Sequence, residues 1–97
     1  MARGTGKIMQ MLCTDVFENQ LKQILKKFAQ EDFSATKNFK MYLDTVIINI
    51  PTKAQKYKKS IYFDDENIRD VDHQGFKIPF LFDKENNVYL ILGIVEK

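Results

Sequence analysis

"IRDVDHQGFKIPFLFDKENNVYLILGIV", residues 68–95, decides the fold. Within it the apolar period is two, as expected of strands whose side chains alternate between faces. Phe76, Ile78, Phe80 and Phe82 fall on one face, and Lys77, Pro79 and Leu81 on the other. His73-Gln74-Gly75 reads as a turn, with glycine supplying a positive φ, and "DKENN" as a second turn in which Asn86 and Asn87 tolerate left-handed conformations. "VYLILGIV" (88–95) is apolar on both faces, as in a strand central to its sheet. Pro79 cannot donate to a ladder, so an edge, a bulge or an outward position is expected for it.

Upstream the period changes. Residues 60–63 and 67–71 are short strand candidates. Before the polar "TKAQKYKK", Phe39, Leu43, Val46 and Ile50 recur at spacings of four, three and four, widened by Tyr42 and Ile47, which predicts a helix ended by Pro51. Phe17, Leu21, Ile24 and Phe28 repeat the pattern in an earlier helix running to about Glu31. Asp15 is the expected cap, with Glu18 completing a capping box, and Asp32 or Ser34 caps the second helix. "KIMQMLC" (7–13) reads as a strand, and residues 1–6 as a flexible leader to a single domain over 7–97.

The fold class is therefore α+β: a short N-terminal strand, a helical hairpin, then a mostly antiparallel sheet of three to four strands. The hairpin covers one sheet face. The other is left apolar, and an uncovered apolar face calls for a partner.

Composition bounds function loosely. The 97 residues are 44% hydrophobic and 29% charged, with a net charge of +2, too small to imply nucleic-acid binding by itself. Lys53, Lys56, Lys58 and Lys59 nevertheless cluster within seven residues. One cysteine, Cys13, excludes an internal disulfide, suits a reducing compartment, and reads as a small buried hydrophobe. No apolar run approaches the ~20 residues of a membrane span.

Asp64, Asp65, Glu66, Asp70, Asp72 and His73 crowd ten positions. A metal site needs ligands that converge, whereas Asp64 and Asp65 point apart on extended chain, and the spacing fits no calcium or zinc pattern. No metal or cofactor is expected. Turn chemistry accounts for "DDEN". Arg69, between Ile68 and Asp70 on a short strand, reads as a partly buried anchor tied to Glu66, Asp70 or a backbone carbonyl, and Gly75 as a structural pivot.

The order of these features resembles the RelE/ParE superfamily of type II toxins: a core arginine (Arg69), then Gly75-Phe76-Lys77, the apolar run Pro79–Asp83, the Asn86-Asn87 turn and the last apolar strand Val88–Val95. "KKSIYFDDENIRD" (58–70) is similar to the ParE-like, plasmid-stabilisation subgroup. The resemblance implies a cytoplasmic toxin neutralised by a cognate antitoxin that wraps the domain, with Phe80, Leu81, Tyr89 and Ile91 as partner-binding residues. RelE-like members cut messenger RNA on the ribosome, and ParE-like members poison DNA gyrase.

Lys77 stands where one family arginine does, and Lys97 matches a second. In a ribonuclease these two would hold the scissile phosphate, with Lys56, Lys58 and Lys59 on ribosomal RNA. Two lysines typical of the cutting members correspond to Asp65 and Asn67, the wrong sign and no charge. No Tyr or His follows Lys97 to act as general acid, and His73 is a poor substitute. The reading favours gyrase binding. The alternatives are a ribosome-dependent endoribonuclease and a degenerate, non-toxic binding module.

Overall fold

Thr14 begins the helical layer. In the computed structural model, which describes residues 9–97, its backbone is extended and its hydroxyl accepts the Phe17 amide at 3.1 Å. It therefore caps α1, Asp15–Glu31. Asp15, the expected cap, is instead the first helical residue, and with Glu18 it sets negative charge against the exposed amides of the first turn. The expected leader and the first two residues of the expected strand lie outside the described residues.

Asp32 alone joins the helices. Its amide donates to Phe28 O, while its carboxylate accepts the Ala35 amide at 3.1 Å and caps α2, Phe33–Ile48. Phe17 and Leu21 of α1 and Phe39, Leu43 and Ile47 of α2 are buried. Tyr42 lies on the solvent side of the stripe it was expected to widen. Pro51 does not end α2. The helix stops at Ile48, and Pro51 sits in the first turn of a short α3, Ile50–Lys53, where its missing amide costs nothing. A 3₁₀ turn, Ala54–Lys56, follows.

The sheet has the order β1-β5-β4-β3-β2, with β6 also on β4. Its strands are β1 Gln10–Cys13, β2 Lys58–Lys59, β3 Ile68–His73, β4 Phe76–Asp83, β5 Val88–Ile91 and β6 Val95–Glu96. Every pairing is antiparallel except β1 with β5, which is parallel.

Residues 60–63 form no strand. The Ser60 hydroxyl accepts the Tyr62 amide at 3.1 Å and the Asp70 carboxylate takes the Ile61 amide at 2.9 Å, turning the chain out of the ladder. The strand formed there is the shorter Lys58–Lys59 just before it.

Gln74 (φ 46°) and Gly75 (φ 90°) make a two-residue connection from β3 to β4, and Asn87 (φ 55°) helps reverse the chain before β5. Residues 88–95 are two strands, not one. Phe80 faces Ile91 whereas Lys77 faces Val95, so three steps along β4 match four along its partner, and the extra residue makes a bulge. Pro79 lies there: its carbonyl accepts the Leu92 amide at 2.8 Å, and the donor it lacks falls at the bulge.

The core forms between helices and inner sheet face, where Phe17, Leu43 and Ile50 meet Ile78, Phe80 and Ile91, all almost wholly buried. Phe28, Phe39 and Phe76 pack edge to face within it.

Candidate functional site

Alternation along β3 and β4 sorts the functional candidates onto two faces. Asp72 and Lys77 are cross-strand partners on the outer face, away from the helices. The Lys97 amide donates to Gly75 O at 3.0 Å, bringing its side chain to the same place. Lys77 Nζ lies 3.0 Å and Lys97 Nζ 3.5 Å from Asp72 Oδ1. The two expected phosphate-binding lysines are therefore together, on one carboxylate. The hydrogen bond from Lys77, assisted by Lys97, holds the Asp72 carboxyl below its ordinary value, and Asp72 raises Lys77 in return.

His73, next in sequence, faces the other way. It is the last residue of β3 and not a turn residue; its ring is buried 5.2 Å from that of Phe39, and Nε2 has no partner among the described residues. Burial lowers its pKa, partly offset by a backbone hydrogen bond to Phe39. From there it cannot serve a phosphate held by Lys77 and Lys97. Asp65 and Asn67 lie ahead of β3 in a turn, where the Asp65 carboxylate accepts the Asn67 amide at 2.8 Å.

The lysine cluster is spread out. Lys56 ends the 3₁₀ turn, Lys58 pairs with Asp70 on the outer face, and Lys59 pairs with Arg69 on the inner, reaching Asp64 at 3.3 Å. Arg69 Nη1 donates to Ala54 O, Gln55 O and Tyr57 O at 3.3, 3.2 and 2.8 Å, tying β3 to the end of the helical layer. Cys13 is exposed on an edge strand, contrary to the expected burial, and partial desolvation followed by Glu18 raises its thiol pKa.

The expected partner residues need correction. Phe80 and Ile91 are fully buried and Tyr89 nearly so, all under the helices. Leu81 alone of the four points outward, because successive residues of a strand face opposite ways. The open apolar surface is made by Leu12, Leu81, Val88 and Leu90, which line a shallow groove with Gln10, Asp83 and Asn86. Period two in 88–91 was sufficient to find Val88 and Leu90, once Tyr89 and Ile91 were put on the core side.

No protein-family model matches the sequence, and no curated protein matches it. Solved structures do. A chain of the chromosomal ParDE toxin–antitoxin system from P. aeruginosa superposes with a TM-score of 0.64 at 17% identity, over 91% of this chain and 95% of that one. A chain of the RelBE2 toxin–antitoxin complex from Mycobacterium tuberculosis gives 0.61 at 8% identity, over 92% and 98%. At such identities the likeness is one of fold. The chain has the α+β architecture of RelE/ParE toxins.

Proposed function

We propose that this chain is the toxin of a type II toxin–antitoxin system, held inactive in the cytoplasm by a cognate antitoxin. Its outer groove around Leu81 and Leu90 is the surface that the antitoxin's apolar side chains cover. It acts by gripping its target, as ParE-like toxins grip DNA gyrase, and residues 7–97 are its single functional domain. The observation that carries this reading is Asp72, which occupies both Lys77 and Lys97. Cutting RNA requires cations free to take developing phosphate charge, and an acid or base within reach. Here one carboxylate engages both cations and offsets half of their charge, and the imidazole is on the far face.

The ribonuclease reading keeps one supporting observation, that Lys77 and Lys97 converge tightly enough to share a single anion. Inducing the protein alone separates the two. Growth arrest with a DNA-damage response and intact messages is the expected result. Translation arrest with message cleavage, abolished by Lys77→Ala, overturns gyrase binding in favour of RNA cutting. Unaffected growth overturns both and leaves a non-toxic binding module.

A further inference from the structure

Arg69 forms no ion pair among the described residues. It lines a cleft of about 240 Å³ on the inner side of the sheet, with Gln55, Glu66, Asn67, Phe82 and Lys84. Arg69 is half-buried, and its three bonds to the carbonyls of residues 54, 55 and 57 all come from Nη1. Those bonds fix the plane of the fork while Nη2 and Nε hold no protein acceptor among the described residues. No carboxylate lies within ion-pair distance of Arg69 or of Lys84 among the described residues, where the ion pairs belong to Lys40, Lys59, Lys77 and Lys97.

A planar donor edge held rigid beside a second cation is a preorganised receptor for an oxyanion, which arginine takes in a bidentate fork. The apolar wall is equally fixed: the Phe82 ring lies flat on Tyr89, 4.3 Å between centroids and 14° between planes. Volume limits the guest. A cavity of about 150 Å³ holds benzene, so this cleft has room for one ring bearing one small head group. Glu66, on the same cleft, opposes any anion bound there.

We propose that the cleft binds a small organic anion, its phosphoryl or carboxylate group on Arg69 and Lys84 and its planar body against Phe82. This site is on the opposite face of the sheet from Lys77 and Lys97 and independent of the toxin reading.

The test is a chemical-shift titration of the isotope-labelled full chain with phenyl phosphate, benzoate and inorganic phosphate. Saturable shifts are expected at Asn67 and Lys84, with phenyl phosphate binding several-fold more tightly than inorganic phosphate. Lys84→Gln should weaken that binding about fivefold, the scale of one partly exposed charged contact, and Glu66→Gln should tighten it. Both variants sit at the cleft rim, and their own spectra report whether the fold is kept. Tighter binding of phenyl phosphate than of benzoate assigns a phosphoryl ligand, and the reverse order a carboxylate. Shifts confined to the Lys77 and Lys97 region, no saturation, or affinities indifferent to both substitutions overturn the proposal.

Discussion

Asp72 and Lys77 face each other across the β3–β4 ladder, and their side chains meet at 3.0 Å. Because Lys97 joins the same carboxylate, one substitution unmasks two cations. Asp72→Asn is expected to raise retention on heparin or RNA, and adding Lys77→Ala to reverse the gain. The melting temperature should barely move, since exposed ion pairs contribute little to folding. Unchanged retention would show that Asp72 does not govern these lysines.

His73 makes stability depend on pH with a definite sign. Burial lowers its pKa below the usual 6.5, so on acidification the unfolded chain binds a proton before the folded one does. The contribution of the neutral imidazole is complete above about pH 6.5 and is lost as pH falls through the lowered folded-state value. Asp72, also lowered, acts in the same direction only below its ordinary 3.8. Urea midpoints should therefore fall between pH 7 and pH 5, and His73→Leu should flatten that slope.

Arg69→Met keeps the aliphatic stem and removes the donors to Ala54, Gln55 and Tyr57. The loss should be about 2 kcal/mol in urea unfolding, the scale of charge-assisted hydrogen bonds at a part-buried site. Arg69→Lys should recover only a fraction, because a single ammonium cannot reproduce the planar fork. A Lys variant as stable as the parent would contradict this account.

The two sheet faces should separate under mutation. Leu90→Glu on the outer groove is expected to leave folding near the parent and to abolish co-purification with the cognate antitoxin. Phe80→Ala on the inner face should cost about 3–5 kcal/mol and reduce soluble yield. Retained antitoxin binding by the Leu90 variant would displace the partner surface from this groove.

Both helices were legible because Phe17, Leu21, Phe39 and Leu43 each satisfy a period that only one face of a helix explains. The Gln74-Gly75 turn was legible through glycine, and β4 through its alternation. The bulge opposite Pro79 was not, because Leu92, Gly93 and Ile94 continue an apolar run that hides a one-residue change of register. Lys58–Lys59 escaped for the opposite reason, since two lysines carry no alternation at all. The convergence of Lys77 and Lys97 on Asp72 needs the chain after β6 to return to Gly75, a three-dimensional fact with no local signature. The mixing of Phe80 with Leu81 as one surface was a matter of parity, and the sequence held the means to avoid it.

β1 has one partner in the sheet, β5, with Gln10 opposite Val88, and Thr14 reaches Leu92 across 78 positions. During synthesis, then, the first strand has nothing to pair with until nearly all of the described chain exists. Contacts so distant in sequence form slowly, so the helical hairpin and the β3–β4 hairpin, both local, assemble first and the parallel edge closes last. The groove containing Leu12 and Leu90 is completed only by that closing step. The nascent chain consequently passes through an interval in which it is largely folded yet lacks the surface by which a partner would hold it.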